Sequence, residues 1–149
     1  VRSRPRWRLS RRARAASWDP ARVERVARAI ANETGSRGIR QVLSSVLNIA
    51  SDVRWGRVEE TYGEDPVLAS SMGVAFVSAF EDRGIVATPK HFVANVGEGG
   101  RDSYPIDVSR RLLEERFFPP FKAAITRSHA RSSQPARSAE GHGQRAHHR

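Results

Sequence analysis

Two Asp-Pro dipeptides, Asp19-Pro20 and Asp65-Pro66, each open a run with helical apolar spacing, and each run closes at glycine just ahead of a β-branched stretch. The aspartate can accept from free N–H groups of a first helical turn, and the proline lacks only a donor that would be unpaired there anyway. Val23, Val26, Ala27 and Ile30 fall at i, i+3, i+4 and i+7, one stripe of a helix ended by Gly35 and Gly38. Ile39 to Ile49 is rich in Val, Leu and Ile without that spacing, which predicts a strand covered on both faces. Leu68, Met72, Ala75, Phe76 and Ala79 line a second helix that Gly84 stops, and Ile85, Val86 and Ala87 open a second short buried strand. A third helix is predicted from near Ser109 through Leu112, Leu113 and Phe117, interrupted by Pro119 and Pro120.

Helices alternating with strands over short connections make a parallel sheet with right-handed crossovers, so the fold class is α/β. A closed (β/α)8 barrel of the TIM type takes roughly 250 residues. Within 149 residues such a barrel is expected to be partial, with two strands and the edge of a third.

Charge divides the chain in three. Of the formal +10, residues 1–14 carry +7 and residues 126–149 carry +4, leaving −1 for residues 15–125. The middle reads as a nearly neutral globular segment, and the two basic ends, which have no apolar period, are expected to be disordered. A basic nucleic-acid-binding protein using the arginine-rich ends is the alternative reading. Such binding would be nonspecific and salt-sensitive, because the ends carry no RNA-binding motif and only Trp7 interleaves with the arginines. With no cysteine, disulfides, thiolate metal sites and cysteine nucleophiles are excluded. No apolar run approaches the ~20 residues of a membrane span, and residues 1–14 have no apolar core of a signal peptide. No membrane partner, cofactor or metal site is expected; His142, His147 and His148 lack a scaffold that would hold an ion.

The stretch richest in chemistry is Arg54-Trp55-Gly56-Arg57, which follows the first strand and precedes Glu59, Glu60, Glu64 and Asp65. Barrel enzymes keep their sites in such loops. A guanidinium offers forked donors for vicinal hydroxyls or a carboxylate, and an indole face suits the apolar side of a sugar ring. The alternative is that Arg54 and Arg57 pair with the local acids and brace the loop. Lys90-His91 ends the second strand, where buried cations need partners, sugar hydroxyls among them; a backbone-satisfied histidine and a lysine reaching water would serve equally. The glycines of 97–104 lack phosphate-loop spacing. Asn32-Glu33-Thr34 fits a glycosylation pattern but falls inside a predicted helix.

The wording of the sequence is more specific than its spacing. Val46-Leu47-Asn48-Ile49-Ala50, then Arg54 to Pro66, then Thr88-Pro89-Lys90-His91-Phe92, Gly100 to Pro105 and Phe118 to Lys122 resemble, in order, the blocks of glycoside hydrolase family 3, most closely its bacterial β-glucosidase and β-xylosidase branch, over most of residues 17–125. The resemblance implies hydrolysis of terminal β-linked glucose or xylose in intact relatives, a β-linked oligosaccharide or glycoside as partner, and sugar-binding roles for Arg57, Lys90 and His91 as donors to hydroxyls, with Arg54 and Trp55 shaping the loop. It implies no catalytic residue here: the family's nucleophile and acid/base segments, and an upstream sugar-binding aspartate, have no counterpart. A non-catalytic sugar-binding remnant is the related alternative.

Two departures stand beside that likeness. Ser51-Asp52-Val53 replaces the family's usual Arg-Asp-Pro, and Ser45 replaces a common proline, changes expected to loosen the loop that aims Arg57. The arginine-rich ends read as out-of-frame translation of a GC-rich coding region. The nucleotide sequence tests this, since family wording should reappear in another frame.

Overall fold

The computed structural model describes residues 14–97 and 106–132, the side chains of 129–132 excepted. Helix α1 spans Pro20–Ser36, with Asp19 accepting from the Arg22 N–H at 3.0 Å. Helix α2 spans Pro66–Glu81, with Asp65 accepting from Val67 at 2.7 Å and Leu68 at 3.4 Å. Both Asp-Pro signals therefore act as expected. Strand β1, Gln41–Val42, pairs in parallel with β2, Val86–Ala87, and α2 makes the crossover between them. A further parallel bridge joins Val46 to Lys90.

The first strand is shorter than the apolar run predicted. Regular pairing covers Gln41–Val42 and resumes only at Val46, because three residues lie between Val42 and Val46 where two lie between Ala87 and Lys90. One extra residue on the first strand breaks the ladder as a bulge does. Nor is the sheet covered on both faces: Ala87 is buried, but Val86 is 58% and Leu43 66% exposed.

Two corrections concern the last helical segment. Helix α3, Arg110–Leu112, starts at Ser109 as expected, its Oγ accepting from Leu112 N–H at 3.3 Å. The chain then widens into a π turn over Leu113–Phe117 and continues as α4, Phe118–Ser132, through Pro119 and Pro120. Proline in a helix lacks a donor and crowds the carbonyl one turn back. The π turn, bonded five residues apart, relieves that crowding by placing the prolines in the first turn of a new helix. The same helix carries order past Ile125, so residues 126–132 are not the unstructured stretch that their composition suggested.

Helix α2 packs against both α1 and α4. This explains why its buried set, which includes Ala69, Met72, Gly73, Phe76, Val77 and Phe80, is broader than a single stripe. Helix α1 contributes Val23, Ala27 and Ala31. Arg28 pairs with Glu24 and reaches Asp82 at 3.3 Å, and Ser128 donates to Glu81 at 2.6 Å, so polar ties link α2 to both neighbours. Under α2 lie Val46, Leu47 and Ile49, all fully buried, which fix the segment leading into the site.

Candidate functional site

Both candidate segments leave the sheet at the same end, after β1 and after β2. The first turns through two short 3₁₀ segments, Val53–Trp55 and Val58–Glu60, with Gly56 at φ 75° between them. That positive φ is a conformation glycine adopts without a Cβ penalty. Asp52 caps the first turn, accepting from the Arg54 N–H at 2.9 Å and from the Arg54 guanidinium on both oxygens. This bonding by Arg54 holds the Asp52 carboxyl below its ordinary range. Arg54 therefore braces the loop at its surface. Val53, in the place of the family's usual proline, is 82% exposed.

Arg57 points the other way. Its side chain is 13% exposed and grips Glu60 with Nε at 2.6 Å and a terminal nitrogen at 2.9 Å. Its other terminal nitrogen lies 3.0 Å from His91 Nε2. Two-point pairing of this kind is among the stronger charge-assisted contacts. Trp55 sits beneath, fully buried, with the Arg57 guanidinium 5.7 Å from the ring centroid and the His91 ring edge-on at 6.3 Å. Its indole Nε1–H is buried without an acceptor. Trp55 therefore offers no open face to a sugar and forms the floor under the guanidinium.

The second segment is held by a residue that sequence reasoning passed over. Asn48 is 1% exposed and donates from Nδ2 to the carbonyls of His91 at 2.9 Å and Val93 at 3.1 Å. Its Oδ1 accepts from the His91 backbone N–H at 2.7 Å and lies 3.0 Å from His91 Nδ1. A fully buried amide inside an apolar run was the available signal, since buried polar groups are retained only where they are bonded. The pairing of Arg57 with Glu60 is the one that the alternative reading of local acids bracing the loop expected.

Lys90 is half-buried, and among the described residues its ammonium makes no hydrogen bond or ion pair. The structure thus brings Arg57, His91 and Trp55 into direct contact, joins Lys90 to them through the backbone, and leaves Arg54 at the rim. The glycine-rich segment from 98 to 105 and His142, His147 and His148 lie outside the described residues, while Asn32 to Thr34 sit on α1. No cluster that could hold a metal ion occurs among the described residues.

Comparison with known proteins identifies the family. The model of the glycosyl hydrolase family 3 N-terminal domain matches residues 9–147. The chain belongs to glycosyl hydrolase family 3. The match enters both basic ends, so the family likeness does not stop at residues 17 and 125 as the sequence reading expected. A β-glucosidase of Rhizobium radiobacter is 37% identical over 113 residues, covering 76% of this chain and 14% of its own length. A β-xylosidase of Formosa agariphila is 38% identical over 133 residues, with shares of 83% and 18%. The solved β-glucosidase of Listeria innocua in complex with isofagomine superposes with a TM-score of 0.75 at 31% identity, covering 80% of this chain and 18% of that one. The family 3 chain thus spans less than a fifth of the length of these relatives.

Proposed function

We propose that this chain forms part of the catalytic (β/α)8 barrel of a family 3 β-glycosidase, with Arg57, Lys90 and His91 holding the hydroxyls of a terminal β-linked glucose or xylose. The observation that carries the reading is the contact of Arg57 with His91 over Trp55 at the ends of adjacent parallel strands, the position where barrel enzymes assemble their sites. Lys90 supplies a half-buried ammonium whose donors are available to hydroxyls. These groups hold a ring for attack, an effect of orientation. Arg54 and Trp55 shape the loop, one as its brace and one as its floor.

Attack requires a carboxylate nucleophile and a proton donor across the scissile bond. Glu60 is the carboxylate gripped by Arg57, and an acid bound on both oxygens is a poor nucleophile. The 149-residue chain is accordingly expected to bind sugar without hydrolysing it. Exposure of Leu43 and Val86 fits a sheet that continues in an intact barrel. The alternative of a nucleic-acid binder gains nothing from the relatives described above, which are named as glycosidases.

The test is hydrolysis of aryl β-glucoside and β-xyloside by the purified chain, alongside NMR titration with glucose and xylose, using Lys90→Ala/His91→Ala as control. No turnover is expected, with sugar-dependent shifts that the double variant loses. Turnover abolished in the variant would show that a carboxylate here supplies chemistry assigned elsewhere. Absence of sugar-dependent shifts in the folded chain would refute the site assignment.

A further inference from the structure

We infer that Asn48 is a positioning residue that fixes His91 in its Nδ1–H tautomer, so that His91 Nε2 acts as an acceptor, first for Arg57 and then for a sugar hydroxyl. The role toward sugar rests on the function proposed above; the tautomer does not.

Among the described residues, the contacts of His91 with Asn48 and Arg57 are satisfied together by one arrangement. Two carbonyls, those of His91 and Val93, face one end of the Asn48 amide, and the His91 backbone N–H faces the other. Carbonyls only accept and a backbone N–H only donates, so the amide nitrogen must face the first and Oδ1 the second. Reversal would set oxygen against two oxygens and nitrogen against a donor. With Oδ1 so placed, the His91 Nδ1 at 3.0 Å must carry a proton to bond to it. The other ring nitrogen faces an Arg57 N–H at 3.0 Å. A guanidinium has donors and no acceptor, so Nε2 must be bare. The Nε2–H tautomer and the doubly protonated ring both place donor against donor at Arg57. Only neutral imidazole with its proton on Nδ1 satisfies both neighbours.

Burial makes this arrangement selective. Asn48 is 1% exposed and Arg57 13%, so water is poorly placed to rescue a mismatched pair, and an unpaired buried donor is costly. The consequence for recognition is a reversal of polarity: His91, expected from the family likeness to donate to the sugar, offers a lone pair. Arg57 and Lys90 donate, and His91 accepts. Asn48 also ties residues 91 to 93 to the strand and thereby sets where the lone pair points.

The experiment is long-range 1H–15N correlation on the whole chain labelled with 15N-histidine. The chain has five histidines, so His91→Gln identifies the residue 91 signals. The wild type is expected to show a protonated Nδ1 and a bare Nε2 near neutral pH. Asn48→Asp keeps an acceptor against Nδ1 and should retain that pattern. Asn48→Leu removes the acceptor; combined with Arg57→Met, which takes away the donor that bars a proton from Nε2, it should shift His91 toward the Nε2–H form preferred by free imidazole, whereas Arg57→Met alone should keep the Nδ1–H pattern. Both Asn48 substitutions lose the bonds to the carbonyls of His91 and Val93, so a purely structural role would move both alike. A wild type with Nε2 protonated overturns the proposal by itself, even where the variants fail to fold, and so does Asn48→Leu/Arg57→Met with the tautomer unchanged. Glucose or xylose titration of the same samples separates the two readings: an intact Nδ1–H pattern without sugar response refutes the sugar site and leaves the role of Asn48 standing.

Discussion

Replacing Gly73 with alanine sets a helical gain against a steric loss, and the geometry decides which wins. Gly73 lies within α2, where alanine is favoured over glycine by about 1 kcal/mol. The added Cβ would stand 2.6 Å from Leu47 Cδ2, 3.5 Å from Cδ1 and 3.7 Å from Cγ. The first of these lies inside any permitted carbon contact, so Leu47 must move. It is fully buried, and its backbone N–H is bonded to the Lys90 carbonyl at 2.8 Å, which leaves little room for a new rotamer. Overpacking of this kind costs about 1–3 kcal/mol. With no relief available, the upper part of that range applies, and a net loss of about 1–2 kcal/mol remains. In a chain of this size that lowers Tm by about 3–6 °C. Thermal unfolding followed by circular dichroism measures it, with Leu47→Val as the second arm of a double-mutant cycle. Valine removes the clashing Cδ atoms, so the double variant should lose less than the sum of the singles by the steric term, about 2–3 kcal/mol. Gly73→Ala as stable as the wild type, or additivity in the cycle, would show that Leu47 yields freely and that the close approach of α2 to the site strand is not a constraint.

Trp55→Ala is expected to cost about 3–5 kcal/mol, whereas Trp55→Phe, which also removes the unpaired indole N–H, should cost well under half as much; urea titration separates them. Asp65→Ala should lower stability by about 1 kcal/mol through loss of the α2 cap, with Asp65→Asn recovering most of it in the same titration. Asp52 has a folded pKa below its ordinary 3.8 because it is bonded to Arg54. Its contribution is therefore present above about pH 4 and fades as pH falls through the folded value. Asp52→Asn should flatten the acid limb of the stability profile below about pH 4 by lowering the neutral plateau slightly toward the acid value; an identical acid limb in the variant would contradict the assignment.

What sequence could reveal here followed the range of the interactions involved. Asp19-Pro20 and Asp65-Pro66 act within one helical turn, and both helices begin where those pairs place them. Gly84, at φ 66°, ends the second helix for equally local reasons. Pro119 and Pro120 were misread because their effect depends on what precedes them: a π turn over Leu113–Phe117 converts a helix break into a helix start. The broad burial of α2 was hidden for a similar reason, since its second partner, α4, is a helix that the prolines seemed to forbid.

The site shows the same limit more sharply. Arg57 and His91 could be named as candidates from residue type and the position of their loops, but their contact depends on strand register. Continuing the pairing of Val42 with Ala87 without a break would set Asn48 opposite Val93 and Val46 opposite His91. The observed bridge of Val46 to Lys90 shifts every later pair by one, so Asn48 falls opposite Phe92, flanked by the His91 and Val93 backbones it binds. Side chains alternate faces with a period of two, so a slip of one residue would turn Asn48 away from His91 and bring a neighbouring apolar side chain in its place. The extra residue between Val42 and Val46, invisible to composition and hydrophobic spacing alike, is thus what joins the Asn48 amide to the His91 ring. Through that ring it reaches the guanidinium of Arg57.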